Sequence, residues 1–137
     1  MQTFELQTSA FAFHDITAQV KRAVRDSGVS EGLCTVFCPH TTAAITINEN
    51  ADPDVQHDLK FALVDAFGDH DRPEFRHFEG NSHAHLKSSL VGASETIPIS
   101  NGSLVLGTWQ DIYFCEFDGP RHRTFHVQIL ASDVNRE

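Results

Sequence analysis

Side chains able to bind metal, move protons or hold phosphate crowd into one stretch, Gly80-Asn81-Ser82-His83-Ala84-His85-Leu86-Lys87-Ser88-Ser89. Glu74, Arg76 and His77 come just before it. Nine histidines occur in 137 residues, and His77, His83 and His85 fall within nine positions. Imidazole changes charge near neutral pH and is the commonest metal ligand. Lysine, amide and hydroxyl groups donate to phosphate oxygens. His83 and His85 are two apart, which places both on one face of an extended chain, as a chelating pair requires. On a helix the same spacing turns them roughly 200° apart and prevents chelation. Asn81 or Ser82 could cap such a helix, so both conformations stay open.

Two further constellations carry usable chemistry. Pro39-His40-Thr41-Thr42 ends a strand-like run with two hydroxyls suited to an oxyanion. Asn48-Glu49-Asn50-Ala51-Asp52 follows, and Glu49 there could act as a general base, a metal ligand or a turn residue. Asp54 and Asp58, four apart, read as the solvated face of a helix. In Gly107-Thr108-Trp109-Gln110 the lone Trp could line a pocket for a flat ring, although a Trp beside a strand is more often core. Lys87, Arg121 and Arg123 are the best phosphate contacts, with surface ion pairs as the alternative for each. The glycine-rich and nucleophile-elbow patterns of common nucleotide-binding and hydrolase folds are absent from the sequence.

The elements that would position these residues are readable from periodicity. Residues 2–8 alternate as a half-buried strand. A helix opened by Asp15 carries Ile16, Val20, Ala23 and Val24 on its apolar stripe and closes at Gly28. Residues 32–38 and 43–48 read as strands. Asp52-Pro53 starts a second helix, with Val55, Leu59, Ala62, Leu63 and Ala66 as its core face. Residues 68–80 form a long polar loop, and Leu86, Leu90 and Gly92 indicate one or two turns of helix after it. Strands follow over 94–99, 103–106, 109–117 and 124–130, with turns at Asn101-Gly102 and Asp118-Gly119-Pro120. Glu116, alternating with apolar neighbours, is expected to face away from the core. The reading is α+β: one compact domain over 1–137, with a mostly antiparallel sheet system and two main helices.

Composition narrows the class of function. A formal charge of −9 disfavours non-specific nucleic-acid binding and docking on anionic lipid, so no nucleic-acid or membrane partner is expected. No run reaches the roughly 18 apolar residues of a membrane span, and no secretory signal pattern opens the chain. Cys34, Cys38 and Cys115 sit in apolar sequence and match no common zinc-finger spacing, which predicts buried reduced thiols and a cytoplasmic protein.

Taken in order, Thr41-Thr42-Ala43-Ala44, Asn48-Glu49-Asn50-Ala51-Asp52-Pro53, Asn81 with Ala84-His85-Leu86-Lys87, Leu106-Gly107-Thr108-Trp109-Gln110 and Glu116-Phe117-Asp118-Gly119-Pro120-Arg121 resemble the YjbQ-like family, also called the secondary thiamine-phosphate synthase enzyme family. The resemblance covers almost the whole chain. It implies a compact α+β fold, a homotrimer with clefts between subunits, and modest thiamine-phosphate synthase activity. In that reaction a pyrimidine methyl diphosphate loses diphosphate and the nitrogen of a thiazole phosphate takes its place.

Carried over position by position, the resemblance points to Thr41, Thr42, Asn48, Glu49, Asp58, His77, Asn81, His85, Lys87, Thr108, Trp109, Gln110, Glu116 and Arg121. Glu49, His77 and His85 are the expected catalytic groups. The small phosphorylated substrate falls to Thr41, Thr42, Asn48, Asn81, Lys87, Thr108, Trp109, Gln110 and Arg121, with Gln110 or Asn81 reading a polar ring edge. His40, His77 and His85 are the candidate ligands of a divalent metal, zinc or magnesium, and no organic cofactor is expected. The family usually has a non-histidine residue where this chain has His83, which weakens the His83–His85 chelate. The alternatives are a metal-dependent hydrolase of a small phosphorylated metabolite and a non-catalytic trimeric small-molecule binding protein.

Overall fold

A computed structural model describes residues 1–132; residues 133–137 of the expected domain lie outside it. Two antiparallel sheets face each other. The larger uses β1 (Gln2–Gln7), β8 (His122–Ala131), β3 (Gly32–Phe37), β5 (Ser94–Ser100) and β6 (Ser103–Leu104), in that order. The smaller uses β2 (Ala12–Asp15), β7 (Gln110–Glu116) and β4 (Ala43–Glu49). Between them α1 (Thr17–Ser27) contributes Val20, Ala23 and Val24 to a core that also holds Val36, Ile45, Ile97, Phe114, Phe125 and Val127.

The small sheet is buried on both faces, and this explains its apolar runs. Along β7, Ile112 and Phe114 join the inter-sheet core, while Tyr113 and Cys115 join a second cluster with Ala44, Ala84 and Phe117. Alternation puts Glu116 on the side of Phe114. It is therefore inside, 0 % exposed, and not turned away as the pattern suggested: a strand covered on both faces has no solvent side.

Local signals account for most element ends. Asp15 accepts from the Thr17 amide at 2.9 Å, although Ile16 is the N-cap position. Asp52 caps α2 (Pro53–Phe67) by accepting from the Asp54 amide at 2.9 Å. Asn101 and Gly102 both have positive φ, 52° and 77°, the mirror-image turn that matches the twist of β5 and β6.

Two expectations about the helices fail. α2 buries no residue at all; Val55, Leu59 and Leu63 are half-covered, and Ala62 and Ala66 are exposed, because within one chain little lies over it. A third helix, α3 (Ser82–Val91), is ten residues long, where one or two turns were expected. It packs against β4 and α2. Its buried residues are His83, Ala84 and Lys87, while Leu86 and Leu90 point outward at 42 % and 65 % exposure. All three cysteines are free and buried; burial raises the Cys34 and Cys38 thiols to about 11. No helix of the described residues is long and apolar enough to cross a membrane.

Candidate functional site

The helical state of α3 separates His83 from His85. His83 is buried with Lys87, whose Nζ lies 3.0 Å from His83 Nδ1 and 5.1 Å from the centre of the Phe11 ring. Burial, with the Lys87 charge second, holds His83 below its ordinary pKa, and burial also lowers that of Lys87. Lys87 is 1 % exposed, so it stands inside the fold and not on a ligand-facing wall. His85 instead lines a polar cavity of about 340 Å³.

Four segments meet at that cavity: His40, Thr41 and Thr42 before β4, Glu79 and Asn81 before α3, His85 on α3, and Arg121 and Arg123 at the start of β8. Beneath them lies a buried ion pair. The Glu116 carboxylate accepts from Arg123 Nε at 2.7 Å, from a second Arg123 nitrogen, from the Thr8 hydroxyl at 2.6 Å and from the Asp118 amide at 2.9 Å. Burial alone would raise the pKa of Glu116, but these bonds outweigh it and hold the group below its ordinary value. Arg123 also donates to the Thr42 hydroxyl oxygen at 2.8 Å. That leaves the Thr42 proton free to donate to a ligand.

The other walls are fixed as firmly. His40 Nε2 lies 3.0 Å from both the amide nitrogen and the carbonyl oxygen of Thr124. In either tautomer this nitrogen is committed to backbone, and only Nδ1 is left for other chemistry. Burial, then the Arg123 charge, lowers the His40 pKa. Arg121 donates to the Asp118 carbonyl at 2.7 Å and to its carboxylate at 2.8 Å. The same carboxylate accepts from Asn81 Nδ2 at 2.7 Å. Donors dominate the lining, which suits an oxyanion.

His77 stands at the rim, bonded to Glu79 at 3.1 Å, its ring centre 5.4 Å from that of His85. With His40 Nε2 engaged, the three expected ligands do not form a ready metal cage. Among the described residues no group of three or more His, Cys, Asp or Glu side chains is arranged to hold a metal ion.

The remaining expected residues gather elsewhere. Glu49 pairs with Gln110 across β4 and β7, and Asn50 donates from its amide to the Trp109 carbonyl at 2.8 Å. Asn48, Thr108, Trp109 and Gln110 are exposed there, Trp109 at 61 %. β4 runs from Ala43 at the cavity to Glu49 at this second cluster; at the strand rise that is about 20 Å. Within one chain the expected residues therefore fall into two separate clusters. Asp58 lies away from both, exposed on α2 beside His57.

A larger groove of about 640 Å³ runs between β2 and α2, walled by Phe11, Phe13, Phe61 and Val64. Its walls are mostly apolar, so its size does not make it the better candidate for chemistry. Sequence reasoning missed Glu79 and the role of Asp118. A signal for Asp118 exists: Glu116 and Asp118 stand opposite Arg121 and Arg123 about the Gly119-Pro120 turn, two acids facing two bases.

A family model described as UPF0047 protein YjbQ-like matches residues 2–132. The UPF0047 protein YugU of Bacillus subtilis is 50% identical over 118 residues, 85% of this chain and 88% of that one. A crystal structure of a YjbQ/UPF0047 protein from Clostridium acetobutylicum superposes with a TM-score of 0.91 at 56% identity, covering 95% of this chain and 100% of the other. A YbjQ-like protein of unknown function from Sulfolobus solfataricus gives 0.90 at 36% identity, covering 96% of each. The chain belongs to the UPF0047 YjbQ-like family.

Proposed function

We propose that this protein is a small-molecule enzyme that binds a phosphorylated substrate in the cavity between His40 and Arg123 and performs transfer of the thiamine-phosphate synthase type. The observation that carries this reading is the convergence of two arginines, two histidines, two threonines and the Asn81 amide on one polar cavity. In the reaction the bond between the pyrimidine methylene carbon and the diphosphate oxygen breaks, and its electron pair leaves with diphosphate. The thiazole nitrogen lone pair forms the new carbon–nitrogen bond. Arg121, Arg123 and the Thr42 hydroxyl offset the charge that builds on the departing diphosphate. His85 is the acid–base group within reach. No step here depends on a resident metal.

Glu49, Trp109 and Gln110 enter through assembly. In a homotrimer, the far end of β4 and β7 from one copy would meet the cavity of the next, supplying a stacking surface and a carboxylate. The separation of the two clusters within one chain supports this arrangement. The same separation favours a second reading, a non-catalytic oxyanion-binding protein, since the Glu49 carboxylate then lies outside the cavity. Product formation by wild type, Arg121→Ala, His85→Ala and Glu49→Ala decides between them. Turnover that falls about a hundredfold or more in the variants supports catalysis. Unchanged turnover in all three sinks the transferase assignment.

A further inference from the structure

α2 carries Asp54, Asp58, Lys60 and Asp65, and the turn of the helix sorts them. Pro53, Gln56, His57, Lys60, Phe61 and Val64 line the groove against β2. Their spacing, i, i+3, i+4, i+7, i+8 and i+11, is that of one helix face. None of the three aspartates is on it. Asp58 is exposed and turned to His57 at 3.0 Å, and Asp54 and Asp65 are exposed as well. Acidic groups outnumber Lys and Arg 19 to 10 in the chain, so a face that keeps its cation and sheds its acids departs from the rest of this surface.

Lys60 makes no ion pair among the described residues. Its Nζ lies 5.5 Å from the centre of the Phe11 ring, which belongs to the facing wall of the groove. A ring face attracts an ammonium without offsetting its charge. Phe11 meets Phe13 edge-on, ring centres 6.3 Å apart, and Phe61 across from them on α2 is 67 % exposed. The groove's volume of about 640 Å³ falls within the range of about 300–1,000 Å³ usual for small-molecule sites, which are mostly apolar with a few polar groups that fix orientation. An aromatic slot with one unmatched cation suits an apolar body that ends in a single negative charge. A dianion would leave one charge unmatched in a chain of net charge −9. A neutral apolar molecule would desolvate Lys60 and give nothing in exchange.

We propose that this groove is a second binding site and that it takes a small amphipathic monoanion. The apolar body lies among Phe11, Phe13 and Phe61, and a carboxylate head meets Lys60. The body is either an alkyl chain, as in a fatty acid, or an aryl group. None of the residues lining the groove lines the polar cavity, so this site stands whether or not the oxyanion reading does.

Calorimetric titration of the intact protein with hexanoate, octanoate, octan-1-ol and 4-phenylbutyrate tests this at about pH 7.5, where carboxylic acids are ionised. Octanoate and octan-1-ol share a body and differ in charge, whereas hexanoate keeps the charge and shortens the body. Octanoate should bind at least about tenfold tighter than octan-1-ol, the worth of a charge-assisted hydrogen bond. It should also bind about tenfold tighter than hexanoate, since each buried methylene gives about three- to fourfold. Tighter binding of 4-phenylbutyrate than of octanoate identifies an aryl acid and the reverse an alkyl acid; either supports the proposal. In Lys60→Gln, confirmed folded by circular dichroism, the preference over octan-1-ol should fall to about twofold or less while octan-1-ol binds as before. In Phe61→Ser, a change at an exposed position, the longer carboxylates should weaken at least about fivefold. Octanoate and octan-1-ol binding within about twofold of each other in wild type, or a charge preference that survives Lys60→Gln, overturns the proposal. Failure of every probe to bind overturns it too, and a lower mass of Phe61→Ser in sedimentation would then make the groove a contact between copies of this chain.

Discussion

Replacing Glu116 by alanine removes a carboxylate that is fully buried and leaves the Arg123 guanidinium, 5 % exposed, without its counter-charge. Breaking a buried pair from one side costs about 3–5 kcal/mol, because the surviving charge stays desolvated. The Thr8 hydroxyl and the Asp118 amide also lose their acceptor, worth about 1 kcal/mol each when such bonds are lost singly. These losses overlap, so about 4 kcal/mol is the working figure, a large part of a stability of about 5–15 kcal/mol. For a chain of this size about 3–4 °C of melting temperature follows each kcal/mol, which gives a fall of about 12–16 °C. Calorimetric melting at fixed protein concentration measures it, since assembly would make the midpoint concentration-dependent. The Glu116→Ala/Arg123→Met double variant should recover part of the loss, because no orphan charge remains. A single variant that loses less than about 1 kcal/mol, or a double that loses the sum of both singles, would refute the reasoning.

Two other outcomes follow from the same structure. His14, His40 and His83 are each held below their ordinary pKa, chiefly by burial. Unfolding lets them regain protons, so their contribution is complete above about pH 6.5 and is lost as pH falls through that value towards the lower folded pKa values. The urea midpoint should drop between pH 7 and 5.5, and less steeply in His40→Gln; a flat profile counts against neutral, buried imidazoles. At Gly119 an added Cβ would stand 2.1 Å from the Ser9 carbonyl oxygen and 2.8 Å from Glu116 Cγ. Gly119→Ala should destabilise by at least about 1–3 kcal/mol and loosen the cavity floor through Glu116. An unchanged melting temperature would show that the loop over Ser9 and Ala10 yields freely.

Where physics is local, the sequence was a good guide. Pro53 at the start of α2, Gly28 at the end of α1 and the Asn101-Gly102 turn each act through one residue's own backbone preference, and each stands where expected. Most of the failures concern what covers an element, and one concerns length. β2 was missed because Ala12–Asp15 is too short to show alternation. Glu116 was turned the wrong way because its sheet is covered on both faces. α3 was shortened because its inward face is His83, Ala84 and Lys87, so hydrophobic periodicity pointed to the wrong side. The candidate site divided in a similar way. Thr41, Thr42, Asn81, His85 and Arg121 meet at one cavity, while Glu49, Trp109 and Gln110 cluster at the other end of β4 and β7. Motif spacing carries no information on that separation.

The central place of β8 has a consequence for the order of events during synthesis. Among the described residues β8 is the last strand in sequence, yet β1, the first, pairs with no other strand, and β3 uses it as one of two neighbours. A nascent chain held on the ribosome before residue 131 emerges can form α1, α2 and α3, but its larger sheet cannot close. Arg121 and Arg123 arrive with the same strand, so a chain in which β8 has not yet emerged has no complete cavity either. Emergence of β8, not any earlier pause, sets the moment at which the chain first has a closed larger sheet and a complete cavity.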